Sequence, residues 1–337
     1  MKTTLHKAQA ALPNLLRAKI VPFLHSSPGI GKSSIAYQFA KQNKLKFIDI
    51  RLSDHDPSDL NGLPSFKDGR AKFIPFDTFP LEDEEIPEDY NGWCIMLDEF
   101  NSASPATQAA AYKLVLDRKV GNHKLHNNVV MIAAGNLETD NAIVNPMSSA
   151  LISRFAHFYI ELDNDEWQSW AVKAKVDPRI TSFLNFKTSA LYTFDPDADT
   201  PYGCPRTWEK LSDVIKPMND ITSSDTVLIN SLVGEGNARE FISYLKYFSR
   251  LPTFEAIVSN PETTKLDDAI GTQWAVMGMI ASKVNESNIS SVCTYLRRMS
   301  LEMQVCALRE IKGREPKLLA NPDVRQWQLA LGRDVFL

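Results

Sequence analysis

The run Ser26-Ser27-Pro28-Gly29-Ile30-Gly31-Lys32-Ser33-Ser34 follows a short apolar stretch, Val21-Pro22-Phe23-Leu24, and leads into helix-like Ile35 to Lys41. Strand, glycine loop and helix in that order can hold a phosphate chain. Glycines let successive backbone N–H groups turn inward around a β-phosphate, at the positive end of the following helix. Ser27, Pro28, Gly29, Ile30, Gly31, Lys32, Ser33 and Ser34 are therefore the candidate binding residues. Lys32 would reach the β- and γ-phosphates, and the Ser33 hydroxyl would bind Mg²⁺. The full pattern has glycine at position 26, where this chain has serine; Gly29 and Gly31 supply the tight turn.

Three further polar elements sit at the ends of apolar runs. Trp93 to Leu97 ends in Asp98-Glu99, so that Asp98 is a second candidate metal ligand and Glu99 a group to polarise an attacking water. Val129 to Ala133 continues into Ala134-Gly135-Asn136, where the Asn136 amide can orient that water. Ser153-Arg154-Phe155 precedes the last run, Phe158 to Ile160, which puts Arg154 at the edge of the core, suited to reach a neighbour's nucleotide. Singly, these are a solvated strand end, a turn former and a surface cation. Their order and their placement at run ends point to a core that hydrolyses nucleoside triphosphates.

The elements that must position these residues follow from pattern. Val21–Leu24, Lys46–Ile50, Trp93–Leu97, Val129–Ala133 and Phe158–Ile160 are apolar on both faces, as buried parallel strands are. Helical stretches between them imply right-handed crossovers. The expected fold is α/β, a five-stranded parallel sheet flanked by helices through residue 164, followed by an all-helical part from Asp165. Two hairpins are expected within the first part, at about 63–76 with its turn at Asp68-Gly69, and at 117–127.

Composition narrows the class. The 337 residues are enough for two domains. A net charge of −4 argues against a nucleic-acid binder working through bulk positive charge, though not against a local basic channel. No apolar run approaches a membrane span. Cys94, Cys204, Cys293 and Cys306 lack metal-ligand spacing, against a zinc site or a disulfide scaffold. The opening Met-Lys-Thr-Thr-Leu-His-Lys lacks the apolar core of a secretory leader, so a cytoplasmic location is expected. His25, His123 and His126 have no metal-binding company and read as structural or exposed.

With these residues in place, the chain resembles AAA+ ATPases and, within them, the MoxR-like group. The hairpin after Asp56-Pro57-Ser58-Asp59-Leu60-Asn61-Gly62 is similar to that group's helix-2 insert, and Asp98-Glu99-Phe100-Asn101-Ser102-Ala103-Ser104-Pro105 to its Walker B continuation. The family's usual arginine is serine here, at position 102. The resemblance extends through Trp167-Gln168-Ser169-Trp170-Ala171, Phe194 to Asp199, Gly203-Cys204-Pro205-Arg206-Thr207-Trp208 and Gly234 to Phe241, with Arg206 at the sensor 2 position. It implies a nucleotide-binding core at 1–164, a helical lid at 165–250 and a C-terminal helical extension at 251–337. It also implies ATP and Mg²⁺ as the bound nucleotide and ion, and catalytic roles for Glu99, Asn136, Arg154 and Arg206. By the same resemblance the chain forms a homo-oligomeric ring, expected to be hexameric, that remodels a protein client with a von Willebrand factor A-domain partner. Two alternatives stay open. A nucleic-acid motor or restriction-type NTPase would use Lys67, Arg70, Lys72, Arg118, Lys119 and Lys124 on the hairpins, and a nucleotide-gated scaffold would turn over little.

Overall fold

A computed structural model describes residues 2–67, 70–140, 144–248 and 250–332. The chain divides into two compact units, 1–163 and 164–337.

Among the described residues, the first unit has ten strands: β1 (Lys2–Thr4), β2 (Val21–His25), β3 (Leu45–Arg51), β4 (Leu63–Lys67), β5 (Arg70–Ile74), β6 (Gly92–Asp98), β7 (Lys119–Val120), β8 (His123–Lys124), β9 (Val129–Gly135) and β10 (Phe155–Glu161). Its helices are α1 (Leu5–Arg17), α2 (Lys32–Gln42), α3 (Pro57–Asn61), α4 (Pro105–Asp117) and α5 (Ser149–Ile152). Six strands form one sheet in the order β1-β10-β2-β9-β6-β3, every pairing parallel. The α/β class is as expected, but the sheet has six strands where five were expected. The addition is β1, whose Lys2-Thr3-Thr4 pairs with Tyr159-Ile160-Glu161 at the sheet's edge. It carries no apolar signal because an edge strand needs none; its lysine pairs with Glu161 across the ladder, and charge is the usual content of a protected edge.

The central strands explain their own placement. All five residues of β2 are buried between β9 and β10. The residues from Gly92 to Leu97 in β6 are likewise buried, and β9 is nearly so. Phe23, Ile95, Leu97, Phe100 and Met131 join one core with Leu114 and Val115 of α4. On the other side of β2, α1 presents Ala8, Leu12 and Leu16 at four-residue spacing.

Outside the sheet, β4 pairs with β5 and β7 with β8, each antiparallel. The Asp68-Gly69 turn lies outside the described residues. The two pairs touch: His123 Nε2 is 3.0 Å from the Phe73 carbonyl oxygen. A Cβ on Gly121 would come within 2.4 Å of the Asn61 carbonyl, so only glycine admits this close approach.

The second unit is helical: α6 (Asn164–Lys173), α7 (Pro178–Phe186), α8 (Pro205–Ile215), α9 (Thr226–Val233), α10 (Glu235–Phe248), α11 (Phe254–Ser259), α12 (Ile270–Lys283), α13 (Ile289–Leu296), α14 (Leu301–Arg314) and α15 (Pro322–Leu331). Phe183, Trp208, Phe241 and Tyr244 pack ring against ring in one part of it. Ile257, Met277, Ile280, Leu296, Leu308 and Trp327 belong to a second cluster. Glu310 is buried against Arg314 and Thr181, and burial raises its carboxyl above the usual range despite both partners. Among the described residues no helix is long and apolar enough to cross a membrane.

Candidate functional site

In an open parallel sheet, loops at the carboxyl ends of the strands form the natural crevice, where the strand order changes direction. Here β2 is that point: the chain goes from β2 to β3 on one side and returns to β10 on the other. The order β2-β9-β6 puts the glycine loop, Asn136 and Asp98-Glu99 side by side at one edge.

Gly29 (φ 78°) and Gly31 (φ 115°) take left-handed backbone, which makes the turn possible without a Cβ penalty. Ser26 stays outside that region, so a side chain is tolerated where the full pattern has glycine. It is fully buried, and its hydroxyl donates to the Ser27 carbonyl. Ile30 is buried and anchors the loop, while Ser34 is exposed on the first turn of α2. Gly31 caps α2, which opens with Lys32. The buried Lys32 ammonium donates to the Ser26 carbonyl at 2.7 Å and to Asn136 Oδ1 at 3.2 Å. Ser33 Oγ donates to Asp98 Oδ2 at 2.5 Å.

A hydroxyl and a carboxylate that meet this closely are hard oxygen donors of the kind Mg²⁺ takes, with its other positions left for phosphate and water. No group of three or more His, Cys, Asp or Glu side chains gathers as a metal cluster among the described residues. A two-ligand site completed by a ligand's own oxygens is the arrangement these residues fit.

Glu99 occupies left-handed backbone (φ 53°), a costly conformation for a non-glycine residue and one that concentrates at functional sites. Its N–H is held by Asp98 Oδ1 at 2.9 Å, and its carboxylate accepts from Ser53 Oγ at 2.5 Å. Burial, and then repulsion from Asp98, raises the Asp49 carboxyl on the neighbouring strand, with Arg51 opposing.

Two partners here, Asn101 and Ser53, were not among the expected site residues. Asn101 is buried and brackets Asn136: its amide donates to the Asn136 carbonyl at 2.8 Å, and its oxygen accepts from the Asn136 N–H at 3.1 Å. A Cβ on Gly135 would sit 2.2 Å from Asn101 Oδ1, so that glycine makes room for the bracket. Ser53 follows the end of β3, and only its position past a parallel strand's carboxyl end could have marked it. Ser27 Oγ also donates to Asp140 at 3.0 Å.

Beside the loop, His25 is 6% exposed. Burial, then His157 and Lys32, push its imidazole down to about 4, so it is neutral at physiological pH.

Arg154 and Arg206 are the remaining expected residues. Arg154 is exposed on the turn between α5 and β10, its guanidinium 3.5 Å from Ser153 Oγ. Register puts Phe155 opposite Val21 and Tyr159 opposite His25. Arg154 therefore lies at the amino edge of the sheet, roughly 13 Å of strand from the glycine loop. Arg206 belongs to the second unit, exposed on the first turn of α8. Its segment is held by Trp208 Nε1, which donates to the Ala190 carbonyl at 2.9 Å.

No family model matches the chain, and no curated protein matches it in sequence. Among solved structures it is similar to a point variant of RuvB from Thermotoga maritima, at 14% identity and a TM-score of 0.35, over 96% of this chain and 87% of that one. It is also similar to NtrX from Brucella abortus, at 13% identity and a TM-score of 0.39, over 98% of this chain and 69% of that one. Likeness this loose leaves the reading of the site to its own residues.

Proposed function

We propose that this chain is a MoxR-like AAA+ ATPase that binds Mg-ATP in the crevice above β2 and hydrolyses it in a ring, to remodel or assemble protein complexes. The supporting observation is the convergence of Lys32, Asn136, Ser33 and Asp98 through contacts of 3.2 and 2.5 Å from three different strand ends. Mg²⁺ held by Ser33 and Asp98 would neutralise charge on the β- and γ-phosphates. Lys32 exchanges its loop carbonyl for phosphate oxygens. Glu99 takes the proton of the attacking water, and Asn136, its backbone fixed by Asn101, orients that water.

Arg154 serves the next subunit. Its place at the amino edge, a strand's length from its own loop, supports action in trans, since an arginine side chain does not span that gap. Such a finger is typically worth on the order of 10³ to 10⁵ in rate, so turnover should depend on assembly. Arg206 is assigned to the γ-phosphate, on resemblance alone, and so are the hexameric count, the lid at 165–250 and the von Willebrand factor A-domain partner.

The test is steady-state ATPase activity against protein concentration for wild type, Glu99→Gln and Arg154→Ala, with sedimentation in ATP. Specific activity should rise with assembly and vanish in both variants, while Arg154→Ala still forms rings. Concentration-independent turnover that survives Arg154→Ala would overturn the mechanism.

One observation favours the nucleic-acid motor as a second reading. Phe66 is 84% exposed on β4, and an exposed aromatic offers a face on which a base can stack. Salt-dependent binding of single-stranded DNA, lost in Phe66→Ser, would select it.

A further inference from the structure

On β2 and β10, Phe23, His25, His157 and Tyr159 share one face of the sheet, as alternate residues in register do. Their rings stack: Phe23 on His25 at 4.2 Å, His25 on Tyr159 at 4.6 Å, and His157 over Phe23 at 5.7 Å. Inside the stack runs a chain of hydrogen bonds. His25 Nε2 is 2.8 Å from His157 Nδ1, and His157 Nε2 is 2.8 Å from the Ile152 carbonyl. A carbonyl only accepts, so His157 Nε2–H is the donor at that end. A neutral His157 then accepts from His25, and a charged one donates to it; the chain is continuous either way.

Phenylalanines would stack as well, and ring nitrogens taken out of water cost free energy unless bonded. What the nitrogens add is a directional tie between two places. One end is His25, directly before Ser26, whose carbonyl holds Lys32 at 2.7 Å. The other is Ile152, the last residue of the four-residue helix α5 and two positions before Arg154. A helix of one turn has almost no stability of its own, so its end is set by what it is tied to. Ser148 caps its start, and His157 holds its last carbonyl.

We propose that His157 is a positioning residue for Arg154 and that His25 anchors it to the glycine loop, so that the arginine offered to the next subunit is aligned from the nucleotide edge of its own. This rests on the reading of Arg154 as a group that acts in trans.

Mixed rings test it. Glu99→Gln subunits cannot hydrolyse but carry an intact Arg154; Arg154→Ala subunits have the reverse defect, and mixing the two should restore turnover. His157→Phe keeps the stack and loses both hydrogen bonds. Alone it should bind ATP with unchanged KM and lose about 10²-fold in kcat, the scale of a misplaced group. Mixed with Glu99→Gln it should recover turnover, and mixed with Arg154→Ala it should stay silent. His157→Gln, which keeps a donor toward the Ile152 carbonyl, should retain most of kcat by itself, and is the variant to read if His157→Phe does not assemble. Wild-type kcat in assembled His157→Phe rings overturns the proposal. So does a silent His157→Phe and Glu99→Gln mixture beside a recovering control mixture of Arg154→Ala with Glu99→Gln, since the His157→Phe defect then lies in its own site. If the control mixture of Arg154→Ala with Glu99→Gln is itself silent, the trans reading fails and this inference fails with it.

Discussion

The strand-end cluster and the paired hairpins belong to the same unit but are built on opposite rules. At the carboxyl ends of β2, β6 and β9, polar groups are buried or half-buried, and each is held by a partner: the Lys32 ammonium by Asn136, the Ser33 hydroxyl by Asp98, the Glu99 carboxylate by the exposed Ser53, and the Asn136 backbone by Asn101. On β4 and β5, large apolar side chains face outward, with Leu63, Phe66, Phe73 and Ile74 all exposed. A network of buried polar groups fixes one geometry, because any member left unpaired is costly. A two-stranded ribbon with bare apolar faces has little support of its own and is suited to making contact. Geometry is therefore specified at the cluster, while the hairpins offer adaptable surface. Substitutions should accordingly be costly in the first region and nearly free in the second.

The largest expected stability effect comes from His25, beneath the cluster. Its imidazole is depressed to about 4 in the folded chain, against an ordinary value near 6.5 when unfolded. The unfolded state then binds the proton more readily. Its contribution is complete above the unfolded value and is lost as pH falls from about 6.5 toward 4, up to about 3 kcal/mol. Urea midpoints of the wild type should fall across that window, and His25→Phe should flatten the fall. An equal slope in His25→Phe would place the acid sensitivity elsewhere.

Next comes Asn101. Asn101→Ala leaves the Asn136 N–H and carbonyl without their partner and should cost about 1–3 kcal/mol. Gly135→Ala should cost a similar amount, because its Cβ would fall 2.2 Å from Asn101 Oδ1. The two share one contact, so the double variant should be less destabilised than the sum of the singles. Denaturant unfolding of all four chains gives the cycle. Strict additivity would mean that the bracket on Asn136 is not what Gly135 protects.

These residues also mark what was legible beforehand. The glycine loop, Asp98-Glu99 and Asn136 could be found because each adjoins an apolar strand, and a buried parallel strand must be apolar on both faces. The α/β class followed from the same runs. Strand β1 could not be found that way, because Lys2-Thr3-Thr4 pairs at an edge and buries little. Asn101 and Ser53 were invisible as partners because their bonds reach other strand ends through the fold. The two histidines are the sharpest case: His25 read as structural, since its relation to His157 depends on the register of β2 against β10, which no local pattern states.

The smallest expected effect tests the other half of the comparison. Phe66 is 84% exposed, and exposed side chains away from caps and turns usually change stability by no more than about 0.5 kcal/mol. Phe66→Ser should leave the unfolding midpoint and basal ATP turnover where they were, while binding of a hydrophobic dye falls. A loss near 1 kcal/mol or more would mean that Phe66 packs against its own unit, and the hairpin would then belong with the cluster as fixed structure. An unchanged midpoint with weaker dye binding would show an apolar side chain that the fold does not need. Because exposed apolar area is costly in water, a ribbon that carries it on both faces has its reason for doing so outside the subunit's own fold.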